Sequence, residues 1–263
     1  MQRFTTALRV LVLLTAGVVG CKGKDAATAE EGGAIPVSLT GVPGAAEKVT
    51  FDTADGWTLT ATYWFAGPGK PAAVLLHMLP ADRHSYDELG PKLAGAGFNT
   101  LALDSRGHGE SRTYRGATKD FHDFTTAEYI SSVEDITAAK GWLAARGADK
   151  TRLVLVGASI GANFALIYGA RDPDVRGVVL LSPGLDYHGV KTEDAMAGYR
   201  PRPAYVVAAE DDADSAACVR RLREIHAGAE TVIWERAGHG TNIFRAQPKL
   251  QDEIVAWLAA TVK

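Results

Sequence analysis

The chain has 263 residues, 46% hydrophobic and 22% charged, a composition that builds a core and excludes wholesale disorder. Its length fits one large domain or two small ones. Lys and Arg total 28 against 31 Asp and Glu, a net charge of −3, so no basic excess supports nucleic-acid binding. Two cysteines exclude a disulfide-rich scaffold, and no Cys-x-x-Cys pair signals structural zinc.

Residues 1–20 read as an export signal. Arg3 and Arg9 make a positive start, and residues 10–19 are apolar except for Thr15 and Gly17. Roughly ten apolar residues are too few to span a bilayer but suit the apolar stretch of a signal peptide. The run ends in Val18-Val19-Gly20-Cys21, which resembles the bacterial lipoprotein signal. That resemblance implies cleavage before Cys21, acylation of Cys21 and a lipid-anchored protein of the bacterial cell envelope. Lys22, standing where Asp is absent, favours the outer membrane, facing the periplasm. The alternative is an ordinary secretory signal cleaved after Ala29. Residues 22–33 are small and charged and read as a tether. The domain plan is thus a signal peptide at 1–20, a lipidated cysteine and tether at 21–46, and one folded domain at 47–263.

Residues 47–65 predict a hairpin around Ala54-Asp55-Gly56. Short apolar runs follow at 72–76, 99–103, 153–156, 178–181, 204–208 and 231–234. None has a polar face, which suits parallel strands covered on both sides. Helices are predicted between and after them at 86–96, 127–146, 160–170, 215–226 and 248–262, with Pro248 in the first turn of the last. Alternating strand and helix predict a doubly wound, mostly parallel α/β sheet of about eight strands, with the antiparallel hairpin at its start. Cys218, inside a helical pattern, reads as a small core residue.

Four turns carry the chemistry. Gly157-Ala158-Ser159-Ile160-Gly161 follows an apolar strand and opens a helix. This is the context of a nucleophile elbow, in which glycines two residues either side of the Ser relieve the steric clash of a sharp turn. The competing reading is a Gly-rich phosphate-binding turn, but neither the P-loop nor the G-x-G-x-x-G spacing is present. Ala237-Gly238-His239-Gly240 follows the last strand and leaves the imidazole of His239 unobstructed, as a general base requires. Ala208-Ala209-Glu210-Asp211-Asp212-Ala213-Asp214 offers carboxylates that either favour a helix N-terminus or orient His239. Leu75-Leu76-His77-Met78-Leu79-Pro80 ends another strand where an oxyanion-binding N–H is expected.

In this order the four turns resemble the α/β-hydrolase family with a serine nucleophile, over nearly the whole domain from about residue 48 to 258. The uncapped length resembles its small esterase and dienelactone-hydrolase branch. The resemblance implies Ser159 as nucleophile, His239 as base and Asp212 as acid, with Asp211, Asp214 and Asp186 as alternatives. It implies the N–H groups of Leu79 and Ile160 as the oxyanion hole, with Met78 the alternative to Leu79. A Gly usual at this turn is missing. Asp104-Ser105-Arg106-Gly107-His108-Gly109-Glu110-Ser111 resembles a structural loop of the family. About twenty residues separate the strands at 178–181 and 204–208, too few for a large cap. In the long loop 106–128, Tyr114, Phe121 and Phe124 are candidates to line the pocket, whereas Asp120, His122 and Asp123 read as solvated residues rather than metal ligands. The expected activity is hydrolysis of a carboxylic ester of a small acyl substrate, without cofactor or metal. The alternatives are a thioesterase, a serine peptidase or a catalytically idle envelope binding protein.

Overall fold

The computed structural model describes residues 44–262. The expected signal peptide, the lipidation residue Cys21 and nearly all of the tether lie outside the described residues.

The first strands, β1 (Ala46–Asp52) and β2 (Trp57–Trp64), form the expected antiparallel hairpin, with Phe51 opposite Leu59. Then come β3 (Pro71–Leu76), α1 (Leu89–Gly95) and β4 (Asn99–Leu103). A two-residue ribbon, β5 (Thr113–Tyr114) and β6 (Ala117–Thr118), precedes α2 (Thr126–Ser131) and α3 (Glu134–Ala145). Next are β7 (Asp149–Ala158), α4 (Ile160–Arg171) and β8 (Val175–Leu181). A second small ribbon, β9 (Asp186–Tyr187) and β10 (Val190–Lys191), leads into α5 (Glu193–Tyr199). The chain ends with β11 (Ala204–Ala209), α6 (Ala213–Ile225), β12 (Glu230–Trp234), the single turn α7 (Ile243–Ala246) and α8 (Leu250–Thr261).

The long strands lie in the order β1-β2-β4-β3-β7-β8-β11-β12. Every pair from β4 to β12 is parallel, and only the β1–β2 and β2–β4 pairs are antiparallel. The β5–β6 ribbon adds two short strands beside β2. The eight expected strands are therefore present, in a sheet of ten.

Strand periodicity explains the layering. In β3, Val74 and Leu76 face the core layer that also holds Ile136 and Leu143 of α3, Phe164 of α4 and, further along the sheet, Leu222 of α6. Ala73 and Leu75 point to the other face, against Leu89 and Leu93 of α1 and Ile254 and Leu258 of α8. All six β3 residues are buried, which is why the strand reads as one continuous apolar run. Each large side chain so buried contributes about 1.5–3 kcal/mol.

Helix α6 begins two residues earlier than expected, at Ala213, and three larger or more informative differences stand out among the helices. The predicted helix at 127–146 is two helices, because the ladder tightens to three-residue bonds from Val133 to Ile136, just after Ser131 and Ser132, whose hydroxyls both donate to the carbonyl of Glu128. The helix predicted from residue 86 begins at Leu89, because Asp82 caps a separate 3₁₀ turn, Arg83–Tyr86. Pro248 lies before the last helix rather than in its first turn, since the Leu250 N–H still donates to Gln247 outside the helix. Between β8 and β11 stand only the β9–β10 ribbon and α5, so no large cap covers the sheet there.

Candidate active site

Ser159 sits between β7 and α4 with φ 55° and ψ −124°. A non-glycine residue in that region carries roughly 1–3 kcal/mol of strain. The flanking glycines make the turn possible. A Cβ on Gly157 would lie 2.2 Å from the carbonyl oxygen of Gly161, and one on Gly161 would lie 2.4 Å from that of Leu76. Side chains at either position would push α4 away from the ends of β3 and β7. The Ser159 N–H donates to Leu181 at 2.8 Å, tying the turn to β8. Ile160 begins α4, so its N–H has no acceptor within the helix.

The turn after β3 is fixed by a histidine. The Ser105 N–H donates to Nε2 of His77 at 3.0 Å, so the ring proton is on Nδ1, which donates to the carbonyl of Met78 at 2.8 Å. Burial pushes the His77 imidazole down to about 4, so it stays neutral. In a trans peptide the C=O and N–H point in opposite directions. Anchoring the Met78 carbonyl on His77 therefore turns the Leu79 N–H the other way, and among the described residues no backbone or side-chain group accepts from it. His108 packs edge-on against His77, with centroids 4.9 Å apart, and Phe121 stacks on His108 at 4.0 Å.

The His239 loop follows β12. Gly238 and Gly240, with φ of 74° and 59°, bracket the histidine. Asp211 accepts from the N–H groups of Ala237 and Gly238, each at 3.2 Å, and Gly240 N–H donates to Ser182 Oγ at 2.9 Å. The loop thus presents His239 in one orientation. Nδ1 of His239 lies 2.7 Å from Oδ2 of Asp212. Asp212 stands at the N-cap position of α6, yet its carboxylate caps nothing and is free for the imidazole. A carboxylate only accepts, so Nδ1 carries the proton and Nε2 is left as the basic nitrogen.

The other candidate acids are occupied elsewhere. Asp211 holds backbone, Asp214 is exposed in the first turn of α6, and Asp186 accepts from Gly189 N–H at 2.7 Å within its own ribbon. The loop from Asp104 is a strut. Asp104 takes the Arg83 guanidinium and the Glu110 N–H, and Arg106 pairs with Asp135 and Asp55, each at 2.7 Å. Tyr114 and Phe124 are packed on Trp57 at 5.0 and 5.6 Å, and Phe121 is taken up by His108. Among the described residues no group of three or more His, Cys, Asp or Glu could hold a metal ion.

Tyr187 enters the site without having been read from the sequence. Its ring stands perpendicular to that of His239, centroids 6.4 Å apart, and its hydroxyl is 3.2 Å from Ser215 Oγ. Burial raises its phenol above the ordinary value, while the hydrogen bond with Ser215 pulls the other way. Among the described residues no hydrogen bond joins Ser159 to His239 directly.

Residues 68–217 match the hydrolase family described as serine aminopeptidase, S33. The chain belongs to this family. A monoacylglycerol lipase of Mycolicibacterium smegmatis is 30% identical over 120 residues, 45% of this S33-family chain and 40% of the lipase. Epoxide hydrolase B of Mycobacterium tuberculosis is 47% identical over 45 residues, 17% of the chain and 13% of the relative. The chain thus spans less than half the length of either. An esterase of Pyrococcus furiosus superposes with a TM-score of 0.67 at 16% identity, covering 83% of this chain and 92% of the esterase. A CIB-like hydrolase of Thermoplasma acidophilum gives 0.65 at 19% identity, covering 82% and 99%. These likenesses agree with the strand order, and the fold is the α/β-hydrolase fold.

Proposed function

We propose that this S33-family hydrolase cleaves a carboxylic ester through an acyl-enzyme on Ser159. The observation that carries the reading is the Asp212–His239 pair, 2.7 Å apart, at the same carboxyl edge of the parallel strands as a serine on a strained strand-to-helix turn. In the proposed cycle His239 Nε2 takes the Ser159 proton as Oγ attacks the acyl carbonyl. Asp212 holds the imidazole and stabilises the imidazolium. The N–H groups of Leu79 and Ile160 receive the oxyanion, each such donor being worth about 10²–10³ in rate. His239 then returns the proton to the departing alcohol, and water releases the acyl group by the same steps. None of these steps calls on a cofactor. The short ribbon and α5 in place of a cap support a small or medium acyl substrate reached from solvent.

The test is hydrolysis of a p-nitrophenyl acyl-ester series beside an acyl thioester and an aminoacyl anilide, with wild type and Ser159→Ala. Ester turnover in wild type alone supports the proposal. Preference for the anilide would move the reading to a peptidase, in line with the family's description, and preference for the thioester to a thioesterase.

Lipid anchoring at Cys21 in the outer membrane is a second proposal, carried by the Val18-Val19-Gly20-Cys21 motif. Cys21→Ser is expected to move the protein from the membrane fraction to the soluble fraction. An N-terminus at Glu30 in the native protein would contradict it.

A further inference from the structure

Two loops must meet for the proposed chemistry, the oxyanion turn after β3 and the His239 loop after β12, and one side chain joins them. Met78 stands on the first, where the usual glycine is missing. Its carbonyl accepts from Nδ1 of His77 at 2.8 Å and from the Ala81 N–H at 3.0 Å. The backbone there is thus anchored, and the Leu79 N–H lies in the same peptide plane as that carbonyl. The side chain reaches the second loop. It packs on Gly240, the residue after His239, so closely that a Cβ there would lie 2.8 Å from Sδ, 3.4 Å from Cβ and 3.6 Å from Cγ of Met78. Gly240, at φ 59°, leaves that seat open. Its N–H is held on the fully buried Ser182 hydroxyl at 2.9 Å, which fixes the seat. Met78 also joins the apolar layer that holds Ala237 and Ile243, on either side of the same loop.

Resting on the reading of Ser159 as nucleophile, we propose that Met78 is a positioning residue that keeps the Leu79 N–H and His239 in register. The N–H meets the oxyanion while the imidazole takes and returns the proton, so both loops must hold their places in the same step. Each loop has its own anchors, His77 for one and Asp211 with Ser182 for the other. Among the described residues no hydrogen bond crosses from one loop to the other, so Met78 supplies the tie by packing. An unbranched thioether chain suits that task, because it fills an irregular gap between two backbones. Removing it leaves a gap over Gly240 and lets the loops move independently. A misplacement of about 1 Å in such a site costs up to about 10²-fold in rate.

The experiment compares Met78→Ala, Met78→Leu, Gly240→Ala and the double variant of Met78→Ala with Gly240→Ala. Each is read by the rate of covalent labelling with a fluorophosphonate, by kcat and KM on the preferred substrate, and by Tm. Labelling requires an activated serine but not an ester substrate. The proposal expects Met78→Ala to lose about ten- to a hundredfold in labelling rate and kcat together, with KM within about twofold. Met78→Leu refills the seat at similar volume and should recover most of that loss. In Gly240→Ala the new methyl displaces Met78 from the same seat, so the two single losses should not add. Wild-type labelling and kcat in Met78→Ala, whatever its Tm, would overturn the proposal and leave Met78 as packing alone. Additive losses in the double variant would overturn it by showing that Met78 acts away from Gly240. A change confined to KM would overturn it in favour of a substrate contact. If wild type itself is not labelled, the nucleophile reading fails, and this inference with it.

Discussion

Oδ2 of Asp212 lies 2.7 Å from Nδ1 of His239, while its neighbour Asp211 holds the backbone of the same loop through two bonds of 3.2 Å. Adjacent acids thus divide the work, one on the ring and one on the loop that carries it. Asp212→Asn is expected to lower kcat by about 10³–10⁴, because the imidazole loses both its tautomer control and its counter-charge. Asp211→Asn keeps an acceptor oxygen for the two N–H groups and should cost less than about tenfold by the same reasoning. Steady-state kinetics of the two variants decide the matter. A larger loss in the Asp211 variant would reverse the assignment.

The close approach of α4 to β3 predicts an unusual response to a conservative change. Gly→Ala inside a helix normally stabilises by up to about 1 kcal/mol. In Gly161→Ala the new Cβ would meet the backbone oxygens of Leu76 and His77 at 2.4 and 2.6 Å, and neither can rotate aside. Net destabilisation of about 1–3 kcal/mol is expected, together with loss of activity as the oxyanion turn shifts. Thermal unfolding checks this, and a Tm at or above wild type would contradict it.

His77 and His108 predict the acid limb of stability. Burial holds both imidazoles down, each to about 4 against an ordinary 6.5, and His77 adds to the depression of His108. The unfolded chain therefore takes up protons that the folded chain refuses. Their stabilising contribution is complete above about pH 6.5 and is lost as pH falls from there through about 4. Urea unfolding between pH 7 and 4 should show stability falling, and His77→Gln should reduce the slope by about one proton. An unchanged slope in that variant would contradict the buried neutral assignment.

Arg106 and Asp135 are both almost fully buried and 2.7 Å apart. Arg106→Met leaves a carboxylate without its partner and is expected to cost about 3–5 kcal/mol. Arg106→Met combined with Asp135→Leu should recover much of that. Denaturant unfolding of the single and double variants measures the coupling, and simple additivity would contradict it.

What the sequence disclosed and what it hid have physical causes. The long strands were legible because both faces of each are covered, leaving runs such as Ala72-Ala73-Val74-Leu75-Leu76 without a polar residue. The turn at Ser159 was legible because backbone crowding demands glycine at fixed offsets, and the turn at His239 because the left-handed φ values on either side of it favour glycine. The β9–β10 ribbon was hidden because it has too few residues for a periodic signal. Its one trace is the His188-Gly189 pair, whose φ values of 52° and 85° make the two-residue hairpin turn that an x-Gly pair favours. Tyr187 was hidden with it. No spacing rule links it to His239, whose ring centroid lies 6.4 Å from its own. The His77 anchor was equally illegible, since its partner Ser105 lies 28 residues away.

The central claim is that Ser159 is an activated nucleophile. Incubating the folded protein with a fluorophosphonate and mapping the adduct by peptide mass spectrometry tests it most directly. The account predicts one adduct per chain, on the peptide containing Ser159, lost in Ser159→Ala and strongly slowed in His239→Ala. A folded wild-type protein that takes up no label, or takes it up on another residue, would contradict it.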